Sequence, residues 1–382
     1  MKSSGNYEPQ VSSRLEGLEA IPWAELHHAY GTAEDVPQIL RDRASSNVQI
    51  AQKAQDSLFA NIWHQGTIYE ATSHAIPFLV KLLQAQEVHL RHHLIWLLQG
   101  IADGGGYPGQ TDPKAMIEEQ TDIARAQASL EDQLAALLSL KSDPDRDVRR
   151  HISGLLAKMH GGRAWLLRHA IEQASNEADV YSAANWLFSL SCAAPNDDTV
   201  RQLMKLEPSD NPLLKLATAA VVLACGDASR MNEAAEESTM PFQHPKIYDD
   251  YYRTCGFMDN SGSEENFISL LRRSVAPARQ ALIAAVHPLL PTIDKFAAAM
   301  IAEEAIPFVF DLRCLPATRG EASELQLTII DQMMRAPSSL NSGVEFQIVR
   351  QLKKNGVIEE SPHRKQSDWL QRIKTCLGKF KT

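Results

Sequence analysis

Residues 147–156 read DVRRHISGLL, and a similar order of apolar and polar positions occurs three more times along the chain. The other copies are HLRHHLIWLL at 89–98, DVYSAANWLF at 179–188 and a fourth whose first apolar residue is Leu213. The first apolar residues of the copies (Leu90, Val148, Val180 and Leu213) are 58, 32 and 33 residues apart. Apolar residues recur at offsets 0, 4, 7 and 8, which lie on one face of an α-helix. Each copy therefore predicts one amphipathic helix.

A second apolar segment precedes each of the first three copies, as in AIPFLVKLL at 75–83 and DQLAALLSL at 132–140. In the turn before residue 148, Pro144 cannot continue a helix, and Asp145 or Asp147 can cap the next one. A helix pair of about 33 to 40 residues is typical of HEAT-like repeats. One pair cannot bury its apolar face, so the pairs must stack. We predict an all-α fold, a HEAT-like α–α superhelix (solenoid) of stacked antiparallel helix pairs.

Three segments that differ in sequence pattern follow one another along the chain. Residues 1–228 hold the repeat array, and 229–263 form a polar insert that we predict to be a loop with at most one short helix. Residues 264–382 carry more divergent helical repeats and a basic closing helix, SDWLQRIKTCLGKF at 367–380. A solenoid grows by adding units, so the length requires no second globular core.

Composition and charge exclude several classes of protein. An apolar fraction of 44% and a charged fraction of 22% suit a folded chain. The net charge of −9 argues against a general nucleic-acid binder. Residues 361–382 carry six Lys or Arg and one Asp, so the remainder holds −14. An anionic body of this kind can attract a basic protein.

Targeting, membrane and cofactor signals are missing from the sequence. No secretory signal and no run of 18 apolar residues occur, and the five Cys form no C-x-x-C pair. We therefore expect a cytoplasmic protein with reduced thiols and no membrane partner. P-loop, G-x-G-x-x-G and G-x-S-x-G motifs are absent too. We expect no cofactor, no metal and no catalytic residues.

The N-terminal region carries two distinctive motifs. The first runs from LEAIPW at 18–23 through HAYG at 28–31 to DVP at 35–37, and the second is FANIWHQGTIYEAT at 59–72. Over residues 15–84 the chain resembles a set of bacterial HEAT-repeat proteins, most of them uncharacterised, that begin with a similar helix pair. The resemblance implies an α-solenoid and no established activity. Some bacterial HEAT-like proteins are immunity partners of toxins or adaptors, an analogy only.

The second motif supplies the first group of candidate binding residues. His64 and Gln65 could be presented to a ligand, with Tyr69 and Glu70 one turn further on. The alternative is a tight inter-helix turn in which Gly66 frees the backbone, Thr67 caps the next helix and the aromatic side chains pack. The structural interpretation is favoured over the binding one.

Acidic and aromatic residues supply the remaining candidates. Tyrosine beside aspartate suits a cationic partner, although these tyrosines could equally pack on the array. Solvated helix caps are the favoured interpretation of the acidic clusters. The candidate partner-binding residues are Asp249, Asp250, Tyr251, Tyr252, Glu236, Glu237, Asp197 and Asp198. A metal site at His89, His92 and His93 is disfavoured, because no further ligand set completes it.

Three functions remain open on the sequence alone. The first is a non-enzymatic binding protein, and within that class we favour an immunity or antitoxin-like protein that occupies a basic toxin. The second is an enzyme similar to HEAT-like DNA glycosylases, for which Trp96, Trp186 and Arg149 lie on repeat helices, although the acidic body opposes DNA binding. The third is a scaffold or adaptor, or a chaperone that cradles a small ligand.

Overall fold

The structure is a computed structural model that describes residues 14–106, 111–203, 205, 209–255, 263–311, 315–335, 344–355 and 357. The described chain is predominantly α-helical, which confirms the predicted all-α class. It divides into two compact units, Met1–Leu282 and Ile283–Thr382. The basic segment 361–382, with the predicted closing helix, lies outside the described residues.

The helices and strands follow one another in this order. The N-terminal part holds the hairpin strands β1 (His27–His28) and β2 (Gly31–Thr32), helices α1 (Val36–Arg43) and α2 (Val48–Asn61), and strands β3 (Trp63–His64) and β4 (Thr67–Ile68). Next come α3 (Glu70–Leu83), α4 (Arg91–Asp103), α5 (Pro113–Asp132), α6 (Leu134–Ser139), α7 (Arg146–Lys158), α8 (His160–Asn176), α9 (Val180–Ser191), α10 (Asp197–Leu203) and α11 (Pro212–Cys225). The chain continues with α12 (Met231–Glu237), α13 (Met240–Gln243), α14 (Pro245–Cys255), α15 (Ser263–Arg273), α16 (Ala276–Val286), α17 (Lys295–Val309), α18 (Glu324–Arg335) and α19 (Val344–Lys354).

The repeated sequence pattern marks four helices, α4, α7, α9 and α11. Acidic or amide side chains satisfy free backbone N–H groups at three of their N-termini. The Asp145 carboxylate accepts from the N–H of Asp147 at 2.9 Å, and Asp179 and Asn211 act in the same way on α9 and α11. Of the two candidate caps, Asp145 and Asp147, Asp145 is thus the one that caps α7.

Successive repeat helices pack against one another within the first unit. Helix α4 packs on α7, α7 on α9, and α9 on α11. Each also contacts a neighbour from the other set, as α4 does with α3 and α9 with α8. Several residues at the repeat positions, among them Leu94, Ile152, Ala184 and Ala220, have no exposed surface. Burial of these apolar faces supplies the main stabilisation of the stack.

One buried and one partly buried ion pair connect the inter-helix turns to the repeat helices. Arg91 at the start of α4 donates to both carboxylate oxygens of Asp143 at 2.8 and 2.6 Å. Arg150 on α7 makes the same two-bonded contact with Asp179 at 2.9 and 2.8 Å. Two parallel bonds fix orientation as well as distance. These arginines therefore set the position of each turn relative to the helix that it touches.

The 63–68 segment forms a β-hairpin, and the predicted capping role of Thr67 is wrong. Gln65 and Gly66 have φ values of 52° and 92°, the left-handed pair that a two-residue hairpin turn requires. Thr67 lies in β4, and the first turn of α3 instead uses Thr72, whose hydroxyl accepts from the Tyr69 N–H at 3.0 Å. The free backbone at Gly66 is used as predicted. In the 18–32 segment, short 3₁₀ turns and the β1–β2 hairpin occupy the place of the expected first helix.

The polar insert is helical where the structure describes it. Residues 231–255 form α12, α13 and α14, so the prediction of a loop with at most one short helix is wrong. The physical reason is the spacing of Tyr248, Tyr251 and Tyr252, which places all three on one face of α14, and that face is buried. The second unit is simpler: α17 packs against α18 and α19.

Candidate functional site

Two β-hairpins meet at the N-terminal end of the first unit. The N–H of Ala29, in the first hairpin, donates to the Asn61 carbonyl at the end of α2 at 3.0 Å. The Asp35 carboxylate accepts from the Asn61 amide at 2.9 Å and lies 2.8 Å from Nε2 of the buried His28. These bonds fix the first hairpin against the segment from which the second begins.

An aromatic residue projects from the junction of the hairpins. Tyr30 is 67% exposed, yet its ring packs edge-to-face on His64 with centroids 5.4 Å apart. Its hydroxyl oxygen lies 3.4 Å from Nδ1 of His64. Gln65 is exposed at the tip of the second hairpin. The residues His27, Tyr30, His64, Tyr69 and Glu70 are called the hairpin surface below.

Glu70 at the start of α3 supplies a carboxylate to this surface. Its Oε2 lies 3.7 Å from Nδ1 of His27. Burial raises the pKa of Tyr69 despite a side-chain hydrogen bond with Thr67, and the neighbouring Tyr30 and Glu119 raise it further. Tyr69, Tyr30 and Glu119 are therefore close enough to interact electrostatically.

Helix α5 adds further carboxylates beside the hairpin surface. Burial raises the pKa of Asp122; Arg125 opposes that shift, and the charges of Glu70 and Glu118 add to it. Arg125 lies 3.4 Å from Asp122, and Lys114 lies 3.6 Å from Glu118. Glu118 and Asp122 on this helix are thus each paired with a cation.

The structure brings together one predicted group and adds residues that sequence reasoning missed. His64, Gln65, Tyr69 and Glu70 lie in or beside one hairpin, as a binding role requires. Tyr30 was missed, although it lies within the HAYG motif on which the resemblance rests. That motif was the available signal, because a tyrosine between short turn residues is well placed for exposure.

A groove of about 710 Å³ lies elsewhere in the first unit. It is formed by α8, α9, α11 and α12, and its floor includes the apolar side chains of Leu187, Leu214 and Val222. The charged residues that line it are Glu177, Asp210, Lys215, Arg230, Glu233 and Glu237. Glu177 pairs with Arg149 and Glu233 with Arg230. The acidic character of the rim therefore comes from Asp210 and Glu237 against Lys215. Its volume lies within the range of small-molecule sites as well.

The acidic candidates are distributed over several places. Of the predicted pair on α12, Glu237 lines the groove, while Glu236 is exposed beside it. The predicted pair at the start of α10, Asp197 and Asp198, is exposed, and Asp198 pairs with Arg201 one turn on. Of these four acidic residues only Glu237 lines the groove, so the two predicted pairs do not form one continuous site there.

The aromatic candidates on α14 are buried. Tyr251 and Tyr252 are only 1% and 5% exposed, so the hypothesis that they are presented to a partner is wrong for the described conformation. The Tyr251 hydroxyl donates to the Asn185 side chain, and its ring stacks on Phe188. Burial is the main cause that raises the pKa of Tyr252. These tyrosines fasten α14 to α9.

The aspartates next to these tyrosines remain at the surface. Asp249 is half-buried, whereas Asp250 is exposed and accepts a hydrogen bond of 2.5 Å from the Tyr181 hydroxyl. Asp250 therefore also helps to hold α14 against α9. Of the predicted Tyr–Asp contact residues, only the two aspartates therefore remain candidates for contact with a partner.

Three histidines and a tryptophan form a stacked cluster between α4 and α7. His92 stacks on His151, and His93 stacks on Trp96. Burial lowers the pKa of His151 to about 3 and that of His93 to about 4, with neighbouring cationic groups adding to the effect. The Trp96 indole N–H donates to Nδ1 of His151 at 3.2 Å, which requires a neutral ring. The cluster packs α4 against α7, with His151 buried and the other three side chains half-buried.

The histidines do not gather into a metal site in the part of the chain that the structure describes. His89 lies apart from the stacked rings, with Nε2 3.1 Å from the Ser46 carbonyl. Over the described ranges, His, Cys, Asp and Glu side chains form no group of three that could hold a metal ion.

The residues on which the glycosylase alternative depended have structural roles. Trp186 is completely buried next to Trp165, and Trp96 belongs to the histidine cluster. Arg149 donates to Glu177 at 3.1 Å. These side chains do not converge on a cationic groove.

None of the protein-family models, curated proteins or solved structures compared with the chain matches it. Among the described helices, none is both long and apolar enough to cross a membrane. The fold therefore defines the class: a predominantly helical protein whose first unit carries an acidic groove and a hairpin surface.

Proposed function

We propose that the protein is a non-enzymatic α-solenoid that binds a basic protein partner. The solenoid part of the proposal is supported by the packing of α4, α7, α9 and α11 in chain order, each on the next. HEAT-like arrays contact only near neighbours in this way, and they use the exposed surfaces of the stack for binding.

The acidic groove is the observation that carries the proposal. Leu187, Leu214 and Val222 give it an apolar floor, and Asp210 and Glu237 belong to its acidic rim. An amphipathic segment with an apolar face and basic flanks matches both properties. Apolar burial would supply affinity, while the carboxylates would select the basic partner and accelerate its association.

An immunity or antitoxin-like role is the form of this function that we favour. A basic toxin, such as a nuclease, is a partner with the required charge, and occupation of its basic surface would block contact with nucleic acid. A toxin gene beside the gene for this protein would support the role. An unrelated metabolic operon there would favour a general adaptor instead.

Charge reversal on the groove rim tests the proposal. A tagged chain is purified from its native host together with a Glu233→Lys/Glu237→Lys variant. The matched control is Asp197→Lys/Asp198→Lys, which changes the charge equally outside this groove. We expect a basic protein to copurify with the wild type and the control and to be lost from the rim variant.

Salt provides the second readout of the same experiment. Interactions between exposed charges weaken as ionic strength rises, so the complex should dissociate with increasing salt. A partner that the rim variant retains, or that both variants lose equally, would contradict binding through the groove.

A further inference from the structure

We infer that the groove binds its partner as an α-helix, which takes the place that the short helix α10 leaves open. The inference rests on the proposed function and adds the secondary structure of the bound segment. Helix α8 packs on α9, and both α10 and α12 pack on α11. The helices that precede and follow α9 and α11 in the chain therefore cover them as far as they extend.

This cover is incomplete at α10. Helix α8 has 17 residues, whereas α10 has 7 and spans only about 10 Å. Helix α11, on which α10 packs, has 14 residues and spans about 21 Å. Helix α10 can therefore cover only about half the length of α11.

The groove adjoins the end of α10. The start of α10 lies at the C-terminal end of α11, because the Cys225 thiol donates to the Asn196 carbonyl at 3.4 Å. Leu203, the last residue of α10, lines the groove, and so do residues of α11 from Leu214 to Val222. The groove thus extends from the end of α10 towards the N-terminal end of α11.

The floor of the groove has the dimensions and spacing of a helix-packing surface. Val180, Ala183 and Leu187 line it from α9, at intervals of three and four residues. A helical stretch from residue 180 to residue 187 spans about 10 Å, or two turns. Rows of side chains at this spacing form the ridges and grooves into which the side chains of another helix pack.

An extended segment would suit the groove less well than a helix. Helices α8, α9, α11 and α12 form the groove, and the backbone groups within each helix are bonded to one another. An extended segment would find no sheet edge to pair with, so its backbone groups would lose water without gaining partners. A helix satisfies its own backbone groups and brings only side chains to the apolar floor.

The preceding helix pair shows which residues occupy the corresponding position. Helix α8 packs on α7 and α9, and its residues Leu166 and Ala170, four apart, are fully buried. We therefore expect the bound helix to carry apolar residues three and four positions apart. Asp210 and Glu237 on the rim favour lysine or arginine beside that apolar face.

The test compares two synthetic peptides that differ only in their ability to form a helix. The first has about 14 residues of leucine, alanine and lysine, or four turns, with leucines three and four positions apart. The second has the same sequence with its central leucines in the D-configuration, so charge and composition are unchanged. Each peptide carries fluorescein, and fluorescence anisotropy measures its dissociation constant with the full chain.

Two variants test whether the peptide lies in the groove. Thr218→Trp places a large ring in the groove on α11, and Gln243→Trp, at an exposed position of α13 outside the groove, is the matched control. Thermal melting of each variant verifies folding. The comparison of the two peptides uses the wild-type chain and does not depend on the variants.

We expect the all-L peptide to bind about ten-fold or more tightly than the diastereomer, since burial of one leucine alone corresponds to about this factor. Thr218→Trp should weaken binding of the all-L peptide by a similar factor, and Gln243→Trp should leave it unchanged.

Equal affinity of the two peptides, unchanged binding in Thr218→Trp, or no binding of either peptide would overturn the inference of a bound helix. Equal affinity that Glu233→Lys/Glu237→Lys abolishes would leave the proposed function standing, because a basic segment would still use the groove without being helical. The proposed function is tested separately by copurification, in which the native partner is the ligand.

Discussion

Replacing Asp143 by alanine would remove the closer of two carboxylates from the buried Arg91; the other, Asp145, lies 3.5 Å from its Nη2. The two side chains are 5% and 3% exposed and share two hydrogen bonds. Arg91 also donates to the Leu83 carbonyl at 3.1 Å, so its charge cannot move to solvent without breaking a contact with the end of α3. The pair joins α4 to the turn before α7, which is the first step of the repeat stack.

The expected cost of Asp143→Ala follows from this burial. Breaking a buried ion pair by removing one partner costs about 3–5 kcal/mol, and we expect about 3 kcal/mol here because Asp145 still faces Arg91. For a unit of this size, that corresponds to a fall in melting temperature of roughly 6 to 12 °C. By contrast, Arg91→Met/Asp143→Leu replaces both charges with apolar groups and should cost far less, within roughly 1–2 kcal/mol of the wild type.

Thermal unfolding followed by circular dichroism at 222 nm measures these differences. Asp198→Ala is the matched control, because its ion pair with Arg201 is exposed and should contribute less than about 1 kcal/mol. A double variant as unstable as Asp143→Ala would refute the reasoning, since the cost would then not arise from an isolated charge. An Asp143→Ala chain as stable as the control would refute it as well.

Three further substitutions test the packing of the first unit. His151→Gln should make the stability of the fold less sensitive to acid. In the folded state the pKa of His151 is about 3, below its usual value, so the unfolded state binds more protons. The free energy of unfolding therefore falls as the pH drops from about 6.5 towards 3. Between pH 7 and 5 this one group costs roughly 1–2 kcal/mol, and melting curves at both values should show a smaller fall in the variant. Tyr251→Phe removes the hydroxyl bond to Asn185 and should cost about 1–2 kcal/mol in thermal melting, whereas an unchanged melting temperature would exclude a contribution from that bond. Gly162→Ala should lower the melting temperature by several degrees, because the added Cβ would overlap the Leu156 carbonyl where α7 and α8 meet; a neutral result would mean that the helices separate at little cost.

Sequence alone located the helices of the stack because their signal is periodic and repeated. The anchors Leu90, Val148, Val180 and Leu213 lie at or just before the start of α4, α7, α9 and α11. The apolar periodicity predicts the burial of Val148 and Leu213, whereas Leu90 precedes α4 with a φ of 50° and is 37% exposed. The helices of the polar insert were not predicted, for the opposite reason. The polar composition of the insert concealed the helical spacing of the three tyrosines on α14.

The candidate sites were less predictable, because they depend on residues distant in sequence. His64 and Glu70 were found by a local motif, whereas Tyr30 joins them only through the meeting of two hairpins. The groove was not predicted, since its floor and rim come from four helices. Glu237 was singled out for its charge, which carries no information on whether it faces a groove.

Photo-crosslinking from the groove tests the central claim most directly. A benzoylphenylalanine is placed at Thr218, which lines the groove on α11, and the control position is Gln243, which is exposed on α13 and does not line it. After irradiation in the native host, mass spectrometry identifies the crosslinked peptide. The account predicts an adduct with a basic amphipathic segment of one protein at position 218, absent at 243 and abolished by Glu233→Lys/Glu237→Lys. No adduct at 218, or an adduct with an acidic segment that survives charge reversal, would contradict it.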